Sequence, residues 1–246
     1  MNMKHPKLRD SNKLHTYESY PLNEIPDNVL IEIGSHLVYL LYIGRKDISG
    51  SDWGDAFSDA IKGTHLDSPI GIADVVSGNM AWSMKTVKNA NPFTAKAVRL
   101  ISGRCSPDYS YGITDPHKDI QETGRAVLGI WNERINIAQD HYNPLRTSVL
   151  VRSNDLLSYC LFEEENHRYR TNDYVWEVNA NGNLIGRHID SGETCFTWQP
   201  HGSQFTIHTK VPQNAAKFSI RKPPVLQKGD ILESIKFDSS WINIKR

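Results

Sequence analysis

Apolar residues recur at helical spacing in three stretches of the chain, which predicts three amphipathic helices. The first covers residues 26–43, and the second covers about residues 52–62 with Gly63 as its stop. A longer third helix is predicted to open at Asp115-Pro116, because an N-cap residue followed by proline favours a helix start, and to end at Asn143-Pro144. Their buried stripes are expected to be Val29, Ile33, Leu37, Leu40 and Leu41; Trp53, Phe57 and Ile61; and Ile120, Gly124, Val127, Leu128, Trp131, Ile135 and Ala138.

The segments around the long helix carry the composition and spacing typical of strands. Residues 69–76 and 81–87 predict a hairpin through the turn-like Ser77-Gly78-Asn79-Met80, and residues 95–101 predict a third strand. Residues 147–151 predict a strand after the long helix. The resulting order is helix, strand, strand, strand, helix, strand.

After Asn154 the chain becomes β-rich. Residues 174–178 and 184–187 flank an Asn-Gly turn and predict one hairpin; residues 194–198 and 204–210 predict another. Residues 217–220 and 241–244 predict short strands, and Trp176, Trp198 and Trp241 are expected in the core. We therefore predict an α/β (α+β) fold with three parts: an N-terminal arm and helix (residues 1–48), a core (49–153) and a β-rich region (154–246) that recognises a ligand or extends the same sheet.

The first hairpin carries two charges in an otherwise apolar setting. If Ser77 pairs with Trp82, Asp74 lies directly across from Lys85. Because side chains of a strand alternate, Asp74, Ser83 and Lys85 share one face, with Val75 and Met84 on the other. An exposed cross-strand ion pair is the ordinary explanation for such residues. These strands are too apolar for an exposed hairpin, which favours a functional site.

The order of elements and these residues resemble the PD-(D/E)xK nuclease superfamily, and most of all its type II restriction endonucleases. The resemblance covers about residues 50–152 and is carried by Ile72-Ala73-Asp74 and Trp82-Ser83-Met84-Lys85. It implies a restriction-endonuclease-like core with a mixed central sheet flanked by helices. The chain departs from the family pattern at Ala73, where proline is usual, and at Ser83, where an acid is usual. The superfamily tolerates both, and a helix can supply the missing carboxylate.

The resemblance implies a Mg²⁺-dependent, sequence-specific endonuclease that hydrolyses double-stranded DNA. Asp74, Ser83 and Lys85 would be catalytic, with Lys85 holding or helping to deprotonate the attacking water. The metal ligands would be Asp74, the Met84 carbonyl and a helix carboxylate, for which Asp59 and Asp55 are the candidates. Asp52 on the same helix, and Gln121 and Glu122 on the long helix, are the weaker alternatives.

Type II restriction enzymes mostly act as homodimers, with one active site for each strand, and we expect the same here. The β-rich region is where we expect base recognition, since arginine and glutamine can contact guanine and adenine edges through two hydrogen bonds. The candidates lie in loops or at hairpin ends and are Arg104, Arg187, Gln199, His201 and Gln204.

Composition narrows the function only slightly. The formal net charge is +0, so DNA binding must come from local clusters. Three cysteines without a CxxC motif, a start without an apolar signal core and the lack of a long apolar run predict a cytoplasmic protein that does not span a membrane.

His65, His117 and His141 are scattered and predict structural roles, and the Glu163-Glu164-Glu165 run predicts a charged loop or strand edge. A DNA repair or recombination nuclease and a non-catalytic β-rich binding module remain the alternatives.

Overall fold

A computed structural model describes residues 20–245. Most of the polar lead-in predicted over residues 1–25 lies outside this range. The described residues form two β-sheets and five α-helices. The helices are α1 (Asp27–Tyr42), α2 (Gly50–Ile61), α3 (Pro107–Tyr111), α4 (Ile120–Gln139) and α5 (Lys228–Ser234). Within this range, none of the helices is both long and apolar enough to cross a membrane.

The first sheet has six strands in the spatial order β1 (Thr64–Ile70), β2 (Ala73–Ser77), β3 (Met80–Lys88), β5 (Leu145–Arg152), β6 (Ser158–Glu165) and β11 (Ala216–Ser219). Strands β3 and β5 are parallel, and the other neighbours are antiparallel. The parallel pair requires a crossover connection, which includes α4. The sheet is therefore mixed, as expected.

The second sheet has five antiparallel strands in the order β4 (Ala97–Arg104), β10 (Gln204–Lys210), β9 (Thr194–Gln199), β8 (Leu184–His188) and β7 (Tyr174–Val178). Each sheet draws strands from both sides of residue 153. The α/β (α+β) fold class is confirmed.

Three clusters of buried apolar residues connect the helices and the two sheets. Helices α1 and α2 pack on the first sheet, where Val75 and Met84 lie in the same core as the α1 stripe. Helix α4 packs against both sheets through residues such as Val127 and Trp131. The third cluster joins β4 to β5 and β6. The predicted stripes of all three helices are buried, apart from the half-buried Leu41 and Ile120.

Two helix boundaries have clear local causes. Ser49 caps α2 through a reciprocal pair of hydrogen bonds with Asp52, and Lys62 ends the helix with a left-handed φ of 54°. The predicted start of the long helix at Asp115-Pro116 is wrong. Asp119 accepts a hydrogen bond from the Glu122 backbone N–H and starts α4 at Ile120, while residue 116 precedes it in a turn.

Two of the predicted core strands differ from the structure: residues 69–76 do not form one strand, and the strand predicted over residues 95–101 forms but lies in the second sheet. The segment 69–76 is not one strand: it divides at Gly71, whose φ is +63°, so that its first part completes β1 and its second part forms β2. A side chain at position 71 would collide with the Arg134 carbonyl, which makes glycine necessary there. The third strand beside the hairpin is β1, whereas residues 95–101 contribute to β4 in the second sheet.

The predicted hairpin register is displaced by two residues. Ser77 pairs with Met80 and Val75 pairs with Trp82, so Asp74 aligns with Ser83 and not with Lys85. The turn is shorter than expected because Gly78, at φ +57°, allows a two-residue Gly78-Asn79 connection. A shift of two residues preserves the faces of both strands, so Asp74, Ser83 and Lys85 still converge.

The chain after β11 departs from the prediction. Residues 241–244 form no strand, and Trp241 is 59% exposed, whereas Trp176 and Trp198 lie in the core as expected. The Glu163-Glu164-Glu165 run ends β6, and Glu163 is buried.

Candidate active site

A bulge in β1 opens the sheet beside Asp74. His65 pairs with Val75 and Ile70 pairs with Ala73, so the four residues 66–69 stand opposite Asp74 alone. Such bulges interrupt the hydrogen-bond ladder and redirect side chains, often beside active sites. The bulge borders a pocket of about 500 Å³, whose lining includes Asp55, His65, Asp67, Asp74, Met84 and Lys85.

Strand β3 supplies the groups that hold Asp74. The Met84 backbone N–H donates to Asp74 Oδ2 at 2.7 Å, and Ser83 Oγ donates to the same oxygen at 3.2 Å. Lys85 Nζ lies 3.9 Å from this oxygen and donates to Ser83 Oγ at 2.8 Å. The three residues predicted to be catalytic therefore form one connected group.

Lys85 is unusual because its ammonium is largely buried. Its side chain is 19% exposed, and burial lowers the pKa of Lys85. The Asp74 carboxylate opposes this by raising the pKa, and the Arg134 guanidinium lowers it further. Arg134 is fixed in place by donating to the Ser102 carbonyl at 2.8 Å and the Gly71 carbonyl at 3.4 Å. A lysine tuned in this way can hold a water and exchange a proton with it more readily than an exposed one.

Of the two favoured helix carboxylates, only Asp55 lines the pocket. Its Oδ1 lies 2.7 Å from His65 Nδ1 on β1. The close approach of β1 to α2 depends on Gly54, since a Cβ there would lie only 2.5 Å from His65 Nε2.

The other helix candidates are engaged elsewhere. Asp59 lies outside this pocket's lining and 3.2 Å from His36 Nδ1, so the geometry favours Asp55 over Asp59 as the helix carboxylate beside Asp74. Asp52 is occupied in the α2 capping box and pairs with Arg45. Gln121 exchanges two hydrogen bonds with the Trp176 backbone.

The oxygen atoms around the pocket are suited to binding a hard divalent cation. Asp74 and Asp67 offer carboxylate oxygens, and the Met84 carbonyl lies 3.3 Å from Lys85 Nζ. Among residues 20–245, no three His, Cys, Asp or Glu side chains are already gathered closely enough to hold a metal. Mg²⁺ fits such a sparse set, because it usually keeps several waters and binds through one or two carboxylates.

The residues proposed to read DNA fall into two places. Gln204 pairs with Arg104 on one side and with Gln199 on the other, so these three residues share one end of the second sheet, and the exposed His201 lies in the turn between them. Arg187 pairs with Thr194 at the opposite end of β9. There it donates to Glu177 at 2.7 Å and to Thr194 at 2.9 Å.

Two pocket residues were not predicted as site residues: His65 was assigned a structural role, and Asp67 was not singled out. Both belong to β1, whose polar run with Pro69 gives no alternating pattern and therefore no strand signal. A possible clue was Gly54 in the middle of a predicted helix, since such a glycine often marks a close approach.

No family model, curated protein or solved structure matches this chain.

Proposed function

We propose that this protein is a Mg²⁺-dependent, sequence-specific endonuclease that hydrolyses double-stranded DNA, of the type II restriction kind. The proposal is carried by the convergence of Asp74, Ser83 and Lys85 beside a bulged strand, with Asp74 and Lys85 lining the pocket there. A surface ion pair would leave Lys85 hydrated, whereas here its side chain is only 19% exposed and its ammonium donates a hydrogen bond to Ser83 Oγ.

Phosphodiester hydrolysis needs an oriented water, relief of negative charge in the transition state and help for the leaving oxygen. Asp74 and the Met84 carbonyl are the groups that would hold Mg²⁺. When bound, Mg²⁺ would supply charge stabilisation at the phosphate and a lowered pKa for the attacking water. Lys85 would orient that water and stabilise negative charge, while Ser83 maintains the positions of both Asp74 and Lys85.

The end of the second sheet formed by Arg104, Gln199 and Gln204 is the surface that we assign to base recognition. The exposed Arg104 side chain makes no hydrogen bond or ion pair within the part of the chain that the structure describes, so its five donors are available to DNA. We propose that two copies act together, because one such site cuts one strand and a two-fold dimer matches a palindromic target.

Arg104→Ala is expected to weaken binding to the preferred DNA sequence by about 1–3 kcal/mol, because an arginine that contacts a base edge contributes roughly that much discrimination. Fluorescence anisotropy with specific and random duplexes measures this loss. Arg187→Ala is the matched control, since Arg187 is already paired with Glu177 at the other end of the sheet. Equal effects of the two substitutions would remove this surface from the proposal.

Digestion of plasmid DNA by the purified protein tests the function itself. We expect discrete fragments with Mg²⁺, none with EDTA, and none from Asp74→Asn, whose amide is a poorer metal ligand and carries no charge. Smeared products would favour a repair or recombination nuclease. Binding without cleavage in any divalent cation would favour a non-catalytic binding module and contradict the proposal.

A further inference from the structure

We propose that His65 is a metal ligand of this pocket and that Asp55 acts through it by fixing the imidazole, instead of binding the metal directly. This inference deepens the proposed function and depends on it only for the location of the metal beside Asp74.

The contact between Asp55 and His65 determines which ring nitrogen is free. His65 Nδ1 lies 2.7 Å from Asp55 Oδ1. An ionised carboxylate can only accept a hydrogen bond, so Nδ1 carries the proton. In the neutral imidazole, Nε2 is then the nitrogen with an available lone pair. A histidine that binds a metal commonly donates its other N–H to a carboxylate in this manner.

The ring is also held from a second side. A Cβ at position 54 would lie between 2.5 and 2.8 Å from Nε2, Cε1 and Cδ2 of His65, so the imidazole lies directly against the Gly54 backbone. Hydrogen bonding at Nδ1 and packing on Gly54 together restrict the ring to one orientation. Such restriction reduces the entropy lost when a metal binds.

The position of His65 in β1 connects this pair to the proposed site. His65 is the last residue of β1 to pair with β2 before the bulge that interrupts the ladder and opens the pocket. His65, Asp55 and Asp74 all line that pocket. A second histidine–aspartate pair, His36 with Asp59, has a comparable 3.2 Å contact but lies outside this lining. The two pairs consist of the same residue types but only one of them lines the pocket, so His36 with Asp59 provides an internal control.

A nitrogen ligand has a consequence for metal choice. Mg²⁺ prefers oxygen, whereas imidazole nitrogen favours later first-row ions, and affinity rises from Mn²⁺ through Co²⁺ to Ni²⁺. With Asp74 and His65 as ligands, the pocket should bind Co²⁺ more tightly than Mg²⁺. Loss of the imidazole should remove much of that difference.

Calorimetric titration of the full chain with Co²⁺ and with Mg²⁺, in the absence of DNA, measures this directly. We expect His65→Gln to weaken Co²⁺ binding by at least about 10- to 100-fold, and Asp55→Asn to weaken it by a similar or smaller factor. Glutamine retains a donor for Asp55, and a thermal melt without metal verifies that each variant is folded. His36→Gln and Asp59→Asn should bind Co²⁺ like the wild type.

Selective paramagnetic broadening of the His65 ring protons by Co²⁺, lost in Asp74→Asn, would support the same assignment. Unchanged Co²⁺ affinity in a folded His65→Gln protein would overturn it, as would a loss in Asp55→Asn without one in His65→Gln. If the wild type cleaves DNA while His65→Gln keeps full Co²⁺ affinity, only this inference fails. If His65→Gln loses Co²⁺ affinity but the wild type never cleaves DNA, the metal site stands and the nuclease proposal fails.

Discussion

Lys85→Ala is expected to slow DNA cleavage by at least about 100-fold, because removing one preorganised charge-stabilising group commonly costs 10²–10³ in rate. The ammonium lies 3.9 Å from Asp74 and 2.8 Å from Ser83, where it could contact a water bound to a metal held by Asp74. DNA affinity should change little, since Lys85 lies in the pocket and away from the Arg104 surface. Single-turnover cleavage and a binding titration on the same duplex separate the two effects.

Lys88→Ala is the matched control, because Lys88 ends the same strand but is exposed.

The Lys85→Ala protein should also be more resistant to unfolding at neutral pH. Burial lowers the pKa of Lys85 in the folded protein, so its charge opposes folding at every pH below that lowered value. The gain should shrink as pH rises towards the ordinary lysine pKa, where the unfolded chain also loses the proton. Cleavage close to the wild-type rate would exclude Lys85 from the mechanism.

Arg146→Met is expected to lower the free energy of unfolding by about 3–5 kcal/mol at neutral pH, because it leaves a buried carboxylate without its partner. Arg146 lies 3.0 Å from Glu163, and their side chains are 9% and 0% exposed. Glu163 also accepts from the Trp82 indole at 2.8 Å, so it ties β6 to β3 across β5. Urea denaturation measures the loss.

The loss should become smaller in acid. Burial raises the pKa of Glu163, with Arg146 and the hydrogen bonds opposing that shift, so without Arg146 the carboxyl accepts a proton more readily still. Arg187→Met is the control: its ion pair with Glu177 is exposed, and its loss should cost less than about 1 kcal/mol. A cost this small for Arg146→Met would mean that the buried pair does not stabilise the sheet beside the site.

The apolar faces of α1, α2 and α4 and the convergence of Asp74, Ser83 and Lys85 could be predicted because both follow from local periodicity. The stripe of α1 and the Trp53, Phe57 and Ile61 positions of α2 are buried as the 3.6-residue spacing requires. Asp74 and Lys85 share a face under either hairpin register, since the two registers differ by an even number of residues. The predicted faces were therefore insensitive to the error in the turn.

The remaining features depend on contacts between distant residues. The run at Glu163 predicted a charged loop or strand edge, and only the contacts of Glu163 with Arg146, Trp82 and Tyr20 explain why its side chain is buried. Likewise, Asp55 and His65 lie ten positions apart in the sequence, and their contact requires both the bulge in β1 and the glycine in α2. Such contacts cannot be predicted from residue type or spacing, because they arise when whole helices and strands pack together.

If the pocket beside Asp74 uses Mg²⁺ to hydrolyse DNA, the cleavage rate must depend both on the metal and on the Asp74 carboxylate. The single-turnover cleavage rate of a DNA duplex is followed across a Mg²⁺ titration for the wild type and for Asp74→Asn. We predict a saturable, Mg²⁺-dependent rate for the wild type and no cleavage above background for the variant. Equal rates for the two proteins, or no cleavage by a folded wild type that binds DNA, would contradict the claim.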